Sequence, residues 1–285
     1  MHASLYILAE HRRGGRFVAM GLLSKFTATA LAFAVVGQTL SATTEKEIPG
    51  AAEIFTQHGV TGTFVLLDPT TDTLHVANAA RAKQRFVPAS TFKIPNSAIG
   101  LHVGAVKDIN EVLPYGGGPQ FMKVWEQDMN LRDAIKHSNV PVYRELARRI
   151  GLERMRENVR ALGYGNMEIG SVVDRFWLDG PLAISAVEQV EFLERLVSGK
   201  LPIKPEAVRA VQEITEVEKT DSYRLHGKTG WYWPKEGQQI GWWVGWIERD
   251  GKNYPFALNI DLNKDEDAAK RIPIARECLK MLGKL

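Results

Sequence analysis

SYRLHGKTGWYW (residues 222–233), QIGWWVGWIER (239–249) and NYPFALNIDL (253–262) are three consecutive segments rich in aromatic and β-branched residues. Segments of this composition and length predict β-strands. The Asp250-Gly251 pair between the second and third segments predicts a tight hairpin turn. We therefore expect the C-terminal part of the chain to form neighbouring antiparallel strands.

A second pair of strands is predicted near the other end of the chain. TGTFVLLDPTTDTLHVAN (61–78) has two apolar runs around a turn cluster, the pattern of a hairpin. Over residues 90–209 the apolar spacing is helical, with Gly151 and Gly163 as helix ends, and residues 265–282 form a closing amphipathic helix. The prediction is an α+β fold: one antiparallel sheet of about five strands built from both chain ends, flanked by helices, with a helical insertion subdomain. A cleft is expected where the insertion meets the sheet edge.

The first 42 residues have the pattern of a secretory signal peptide. Basic residues precede the apolar run FTATALAFAVV (26–36), and small residues follow at LSATT (40–44). Because the run is shorter than the roughly 20 residues of a spanning helix, we expect a cleaved leader and no membrane anchor. Residues 43–285 are then one domain secreted to the periplasm. Two alternatives are a start at Met20 and a retained amphipathic segment.

The leader carries the net charge of the chain. Residues 1–42 hold four Lys/Arg and one acidic residue, a net of +3, and the whole chain is also +3, so the remainder is about neutral. A neutral domain gives no reason to expect nucleic-acid binding. Cys278 is the only cysteine, which excludes an intrachain disulfide. The seven histidines show no HExxH or clustered spacing, so no metal site is expected.

STFK (90–93) is the first motif that could carry chemistry. Pro95 is tolerated only in the first turn of a helix, so a helix should begin near Ser90. Lys93 shares the face of Ser90, and its apolar neighbours should depress its pKa so that the amine can take a proton from the serine. The alternative is a serine that caps the helix, because Ser-x-x-Lys arises about once by chance in such a chain.

Two more motifs extend this pattern. In KTGW (228–231), lysine and threonine point to opposite faces of a predicted strand. The glycine lets a ligand approach the backbone closely, and the backbone N–H of the tryptophan can donate a hydrogen bond to an oxyanion. Between the two lysine motifs lies SNV (138–140), where Ser138 could relay protons between a substrate nitrogen and Lys228. For KTGW the alternative is an ordinary strand end, and for SNV it is a turn or an N-cap.

With these motifs the chain resembles the penicillin-recognising serine acyl-transferases, and within them the class D β-lactamases, the oxacillinases. The resemblance covers nearly all of residues 50–282. Class A members have Ser-Asp-Asn as the middle motif and a downstream glutamate that activates water, and class C members use Tyr-x-Asn there. The motifs, in the family's order, are STFK (90–93), SNV (138–140), YGN (164–166), FWLDGPL (176–182) and KTGW (228–231).

The resemblance implies a β-lactamase/transpeptidase-like domain that hydrolyses penicillin-type antibiotics and confers resistance. Ser90 would be the nucleophile, forming an acyl-serine intermediate. Lys93 would react with carbon dioxide to give a carbamate (N6-carboxylysine), the base for serine and water, with no other cofactor. Trp177 would donate its indole N–H to the carbamate, with Val140 and Leu178 as apolar walls. A large core residue is the alternative for the tryptophan.

The same resemblance implies how the β-lactam is held. The oxyanion hole would be the N–H groups of Ser90 and Trp231, and Thr229 and Gly230 would line the substrate site. Arg271 matches the family's carboxylate-binding arginine, since a guanidinium suits a planar carboxylate. A solvated arginine at a helix start is the alternative.

Three other functions fit parts of the pattern. A penicillin-binding D,D-peptidase shares the motifs, but Trp177, Val140 and the lack of further domains argue against it. A β-lactam sensor would be expected to carry transmembrane and protease segments, and a metal-dependent hydrolase would need clustered ligands. The WYW (231–233) and GWWVGW (241–246) runs predict either sheet core or the interface of a homodimer.

Overall fold

The computed structural model describes residues 43–285, so the predicted leader and the start at Met20 lie outside the described residues. The strands are β1 (Thr44–Glu47), β2 (Gly62–Asp68), β3 (Thr73–Ala77), β4 (Glu216–Lys219), β5 (Arg224–Tyr232), β6 (Gln239–Arg249) and β7 (Lys252–Leu262). They form one sheet in the order β1-β3-β2-β7-β6-β5-β4. The hairpin β2–β3 and the meander β5–β6–β7 are the strands that the sequence predicts, and both are antiparallel.

The prediction of about five strands was wrong, because the described chain has seven. The two additional strands, β1 and β4, are the edges of the sheet and have four residues each. Their sequences, TEKE and EVEK, are mostly exposed and lack the apolar alternation that signals a strand. β1 also pairs parallel to β3, so the sheet is not wholly antiparallel as predicted. The α+β class, with a sheet from both chain ends, is confirmed.

The strand β6 is buried on both faces of the sheet. Trp242, Val244 and Trp246 belong to the core on the side of the helical insertion. Trp243 and Ile247 belong to a second core, which includes residues of the first and last helices. A strand covered on both faces is apolar almost throughout, which explains why GWWVGW does not alternate with polar residues.

The helices are α1 (Ala51–Gln57), α2 (Ala79–Ala82), α3 (Lys93–His102), α4 (Leu131–Lys136), α5 (Val140–Ile150), α6 (Leu152–Ala161), α7 (Ala186–Val197), α8 (Pro205–Thr215) and α9 (Arg271–Met281). The helical insertion is the run from α3 to α8. As predicted, α5 ends before Gly151 and α6 ends just before Gly163, both with positive φ. The predicted closing helix begins as a 3₁₀ turn, Asp265–Lys270. Within residues 43–285, no helix has the length and apolarity needed to cross a bilayer.

Candidate active site

Ser90 lies in a 3₁₀ turn, Ala89–Phe92, that continues directly into α3 at Lys93. Ala89 has a φ of +49°, in the left-handed region that residues with a Cβ adopt at a cost. Lys93 Nζ donates a hydrogen bond of 2.9 Å to Ser90 Oγ. Neither the turn nor α3 has a side-chain cap. Ser90 is therefore paired with the lysine and is not a helix cap.

The Lys93 side chain is completely buried. Loss of hydration holds the pKa of Lys93 well below its ordinary value, and the positive charge of Lys228 lowers it further. The amine lies 5.2 Å from the centre of the Tyr143 ring, a phenol whose own pKa is raised by burial. Both effects favour the uncharged form of the Lys93 amine, the form that can accept a proton.

The strand β5 passes close to the nucleophile turn. Leu225 belongs to the core formed with α1 and α9, and the partly buried Trp231 packs against that core. Because side chains alternate along a strand, residues of β5 with even numbers face the insertion and Ser90. Gly230 makes the closest approach: a Cβ there would lie 2.9 Å from the carbonyl oxygen of Pro88. Only glycine lets the strand and the turn pack at this distance.

Lys228 is a buried lysine on the face of β5 that points toward the insertion. Burial, and then the charge of Arg271, lower the pKa of Lys228 to about 7. Its Nζ donates a hydrogen bond of 2.8 Å to the carbonyl of Thr229. The pairing of β4 with β5 ends at His226. The edge of β5 from residue 227 onward is therefore free of a β4 partner.

The SNV motif is the junction between α4 and α5. Asn139 is the cap of α5, because its side chain accepts a hydrogen bond of 3.1 Å from the N–H of Val142. Ser138, just before it, is half-buried with a φ of +53°. Within residues 43–285 the Ser138 hydroxyl has no hydrogen bond to Lys93 or Lys228, whose amines donate elsewhere. Val140 is half-buried at the start of α5.

Trp177 is fully buried next to the start of α3. Its ring stacks on Phe92, the neighbour of Lys93, with a centroid distance of 5.5 Å and an interplanar angle of 23°. Its indole N–H is buried and has no acceptor among the described residues. Leu178 is half-buried against the same core. A buried N–H normally has an acceptor, so this N–H is available to a small acceptor that enters the site.

Arg271 reaches the end of β5 from the start of α9. It donates hydrogen bonds of 2.6 Å to the carbonyl of Gly230 and 2.5 Å to that of Ala268. Gly241 on β6 makes room for it, because a Cβ there would lie 2.8 Å from the arginine Cδ. Lys270 points elsewhere and donates to the carbonyl of His58 at 2.7 Å. Of the two neighbouring cations, the arginine lies at the KTGW segment.

An aromatic contact that the sequence does not signal lies beside this segment. Trp233 stacks on Trp231 at 5.4 Å, and Phe121 meets Trp233 edge-on at 5.5 Å. Phe121 is 72% exposed and Trp233 is 50% exposed. Phe121 belongs to a loop without periodic pattern, so nothing in its sequence indicates that it reaches the end of β5.

A groove of about 610 Å³ borders Lys228 and Thr229 along the free edge of β5. Its walls combine apolar groups, such as Val217 and Ile272, with charged groups, such as Arg276. This volume lies within the range of sites that bind small organic ligands.

Residues 62–280 match the family model described as the penicillin-binding protein transpeptidase domain. The chain is 40% identical to β-lactamase OXA-5 of Pseudomonas aeruginosa over 231 residues, which cover 80% of this chain and 86% of that protein. It is 42% identical to β-lactamase OXA-48 of Klebsiella pneumoniae over 226 residues, or 79% and 85% of the two chains.

A solved structure extends this similarity to the fold. The crystal structure of FUS-1 (OXA-85), a class D β-lactamase from Fusobacterium nucleatum subsp. polymorphum, has a TM-score of 0.81 at 47% identity. The match covers 84% of this chain and 100% of that chain. The similarity therefore includes both the sheet and the helical insertion.

Proposed function

This chain belongs to the class D β-lactamases, and from that premise we propose that it hydrolyses penicillin-type antibiotics through an acyl-enzyme at Ser90, with a carbamylated Lys93 as the base. The chain is a serine β-lactamase. The observation that supports the mechanism best is the hydrogen bond of 2.9 Å between the buried Lys93 amine and the Ser90 hydroxyl. A serine is a weak nucleophile until a neighbouring base takes its proton.

The surroundings of Lys93 fit a carbamate. The amine is buried and its pKa is lowered, so it is free to react with carbon dioxide. When Lys93 carries that group, a carboxylate is available as a base for both the serine and the hydrolytic water. The unpaired indole N–H of Trp177 is the donor that we assign to it, with Val140 and Leu178 as apolar walls.

In acylation, the Ser90 oxygen would bond to the β-lactam carbonyl carbon while the hydroxyl proton leaves to the base. The backbone N–H groups of Ser90 and Trp231 would hold the oxyanion. The C–N bond then breaks, and the ring nitrogen takes a proton through Ser138 and Lys228. A lysine with a pKa of about 7 can give and regain that proton near neutral pH.

The carboxylate of the antibiotic would bind at the end of β5. The Thr229 hydroxyl and the Arg271 guanidinium are the donors that we assign to it. Burial lowers the pKa of Arg271 to about 10, so the group is still charged at neutral pH. The close approach of the backbone at Gly230 would place the bound ring next to Ser90.

Residues 1–42 would direct the enzyme to the periplasm, where it meets antibiotics and confers resistance. The experiment is to measure hydrolysis of oxacillin and a chromogenic cephalosporin by the purified protein, with and without bicarbonate. Sustained turnover that rises with bicarbonate is expected. A single stoichiometric burst that ignores bicarbonate would instead indicate a sensor or a D,D-peptidase.

A further inference from the structure

We propose that Asp174 is a positioning residue for the base at Lys93. Its carboxylate fixes the loop of residues 171–182, here called the Trp177 loop, against α5, and so keeps the indole of Trp177 beside the start of α3. This inference rests on the proposed function, because it concerns how tightly the carbamate on Lys93 is held.

One oxygen of Asp174 accepts three hydrogen bonds from two arginines of α5. Arg144 donates from Nε at 3.1 Å and from Nη2 at 2.8 Å, and Arg148 donates from Nη1 at 2.7 Å. The carboxylate is buried, whereas both guanidinium groups are partly exposed. Charge-assisted bonds of this geometry are directional, so they restrain the loop more than a single surface pair would.

The ion pair joins two segments that contribute to the proposed carbamate pocket. Asp174 precedes Trp177 by three residues. In the turn that follows Asp174, the backbone N–H of Leu178 donates a hydrogen bond of 2.8 Å to the carbonyl of Arg175. Arg144 follows Val140 by one helical turn, so the two side chains share a face of α5. A displacement of Asp174 would therefore move the indole relative to the opposite wall of the pocket.

α5 is itself fixed against α3, the helix that begins with Lys93. The Tyr143 hydroxyl and the Ser97 hydroxyl are 2.8 Å apart, and Asn96 donates to the Tyr143 carbonyl at 3.2 Å. The Lys93 amine lies over the Tyr143 ring. With α5 held in this way, the contact of α5 with Asp174 determines where the loop lies relative to the lysine.

A merely structural role for Asp174 makes a different prediction from a positioning role. Losing a partly exposed ion pair lowers the stability of the fold slightly and reduces all activities together. Loss of positioning weakens the carbamate selectively, because a misplaced donor stabilises the charged group less. The two roles are distinguished by how much bicarbonate the protein needs.

The test uses Asp174→Asn, which keeps the side-chain shape and removes the charge. The carbamate is followed by ¹³C NMR during titration of the full-length purified protein with ¹³C-bicarbonate. We expect half-maximal signal at a bicarbonate concentration about fivefold higher than in the wild type. At saturating bicarbonate, kcat should return close to the wild-type value.

Two further variants complete the experiment. Arg144→Gln leaves the hydrogen bond of Arg148 to Asp174 and should shift the titration in the same direction by a smaller factor. If Asp174→Asn does not fold, the titration of Arg144→Gln tests the positioning role instead. Glu194→Gln is the matched control, because Glu194 pairs with Lys200 and contacts neither Asp174 nor its two arginines. Its titration should match that of the wild type.

The outcomes separate this inference from the proposed function. A folded Asp174→Asn protein that titrates like the wild type would overturn the positioning role alone. A wild-type protein with no ¹³C signal, and with hydrolysis independent of bicarbonate, would overturn the carbamate itself.

Discussion

Lys93 and Lys228 are two buried lysines that interact electrostatically: the charge of Lys228 helps to lower the pKa of Lys93. One lysine comes from the head of α3 and the other from β5, so the pair exists only where the insertion meets the sheet. Two like charges buried together destabilise each other, so the positive charge of Lys228 favours the neutral form of Lys93.

The first prediction concerns the pH dependence of stability. A lysine with a lowered pKa binds fewer protons in the folded state, so the free energy of unfolding rises with pH between about 7, the folded value for Lys228, and 10.5, its ordinary value. Urea unfolding from pH 7.5 to 9 should show a rise of up to about 1.4 kcal/mol per pH unit for each such lysine. Lys228→Met should show a smaller rise; equal slopes would mean that its pKa is ordinary.

The second prediction is that Ser90→Ala abolishes hydrolysis and covalent labelling by penicillin. The Ser90 side chain caps no helix and its only hydrogen-bond donor among the described residues is Lys93, so the fold should be kept. Mass spectrometry after incubation with penicillin, together with the melting temperature, checks both points. Surviving turnover would remove the nucleophile assignment.

The third prediction separates acylation from deacylation. Trp177→Phe keeps an aromatic ring against Phe92 but removes the indole N–H. Losing a hydrogen bond to a charged group should slow deacylation by about ten- to hundredfold. Acyl-enzyme should then accumulate in rapid-quench mass spectrometry. A deacylation rate equal to that of the wild type would contradict the role of the indole in the carbamate pocket.

The fourth prediction concerns the approach of β5 to the nucleophile turn. Gly230→Ala would put a Cβ 2.9 Å from the Pro88 carbonyl and 3.0 Å from a methyl group of Thr91, so the strand must move. A displacement of this size should lower kcat/KM by about tenfold or more. Steady-state kinetics check this. An unchanged kcat/KM would show that the nucleophile turn can move to accommodate the methyl group without loss of activity.

The fifth prediction compares two neighbouring cations. Arg271→Ala should raise KM for a penicillin by about tenfold or more, because the carboxylate of the penicillin loses charge-assisted hydrogen bonds from the guanidinium. Lys270→Ala is the matched control, since this lysine donates to His58 and not to β5. An equal rise of KM in both variants would argue for general electrostatic attraction.

The meander and the motif residues could be predicted from the sequence because their signals are local. Alternating apolar runs and the Asp250-Gly251 turn indicate strands, and Ser-x-x-Lys at a helix start brings serine and lysine together by helical geometry alone. The family assignment is confirmed by the matches to the transpeptidase domain and to the class D enzymes.

Other features depend on contacts between distant segments and left no pattern to read. β1 and β4 are polar edges whose pairing depends on their neighbours. The contact of Phe121 with Trp233 joins two loops, and Asp174 is one of many acidic residues until its two arginines are seen in space. Arg271 was chosen through the family resemblance alone, and only the structure shows that its side chain, and not that of Lys270, reaches the KTGW segment.

The burial of β6 on both faces limits how this gene can change in length. Since alternate residues belong to opposite cores, inserting one codon within the strand would turn Trp242 and Trp246 into the space of Trp243 and Ile247, and the reverse. Insertions and deletions that preserve the fold should therefore fall in the turns that flank β6, or add or remove two residues at a time within the strand.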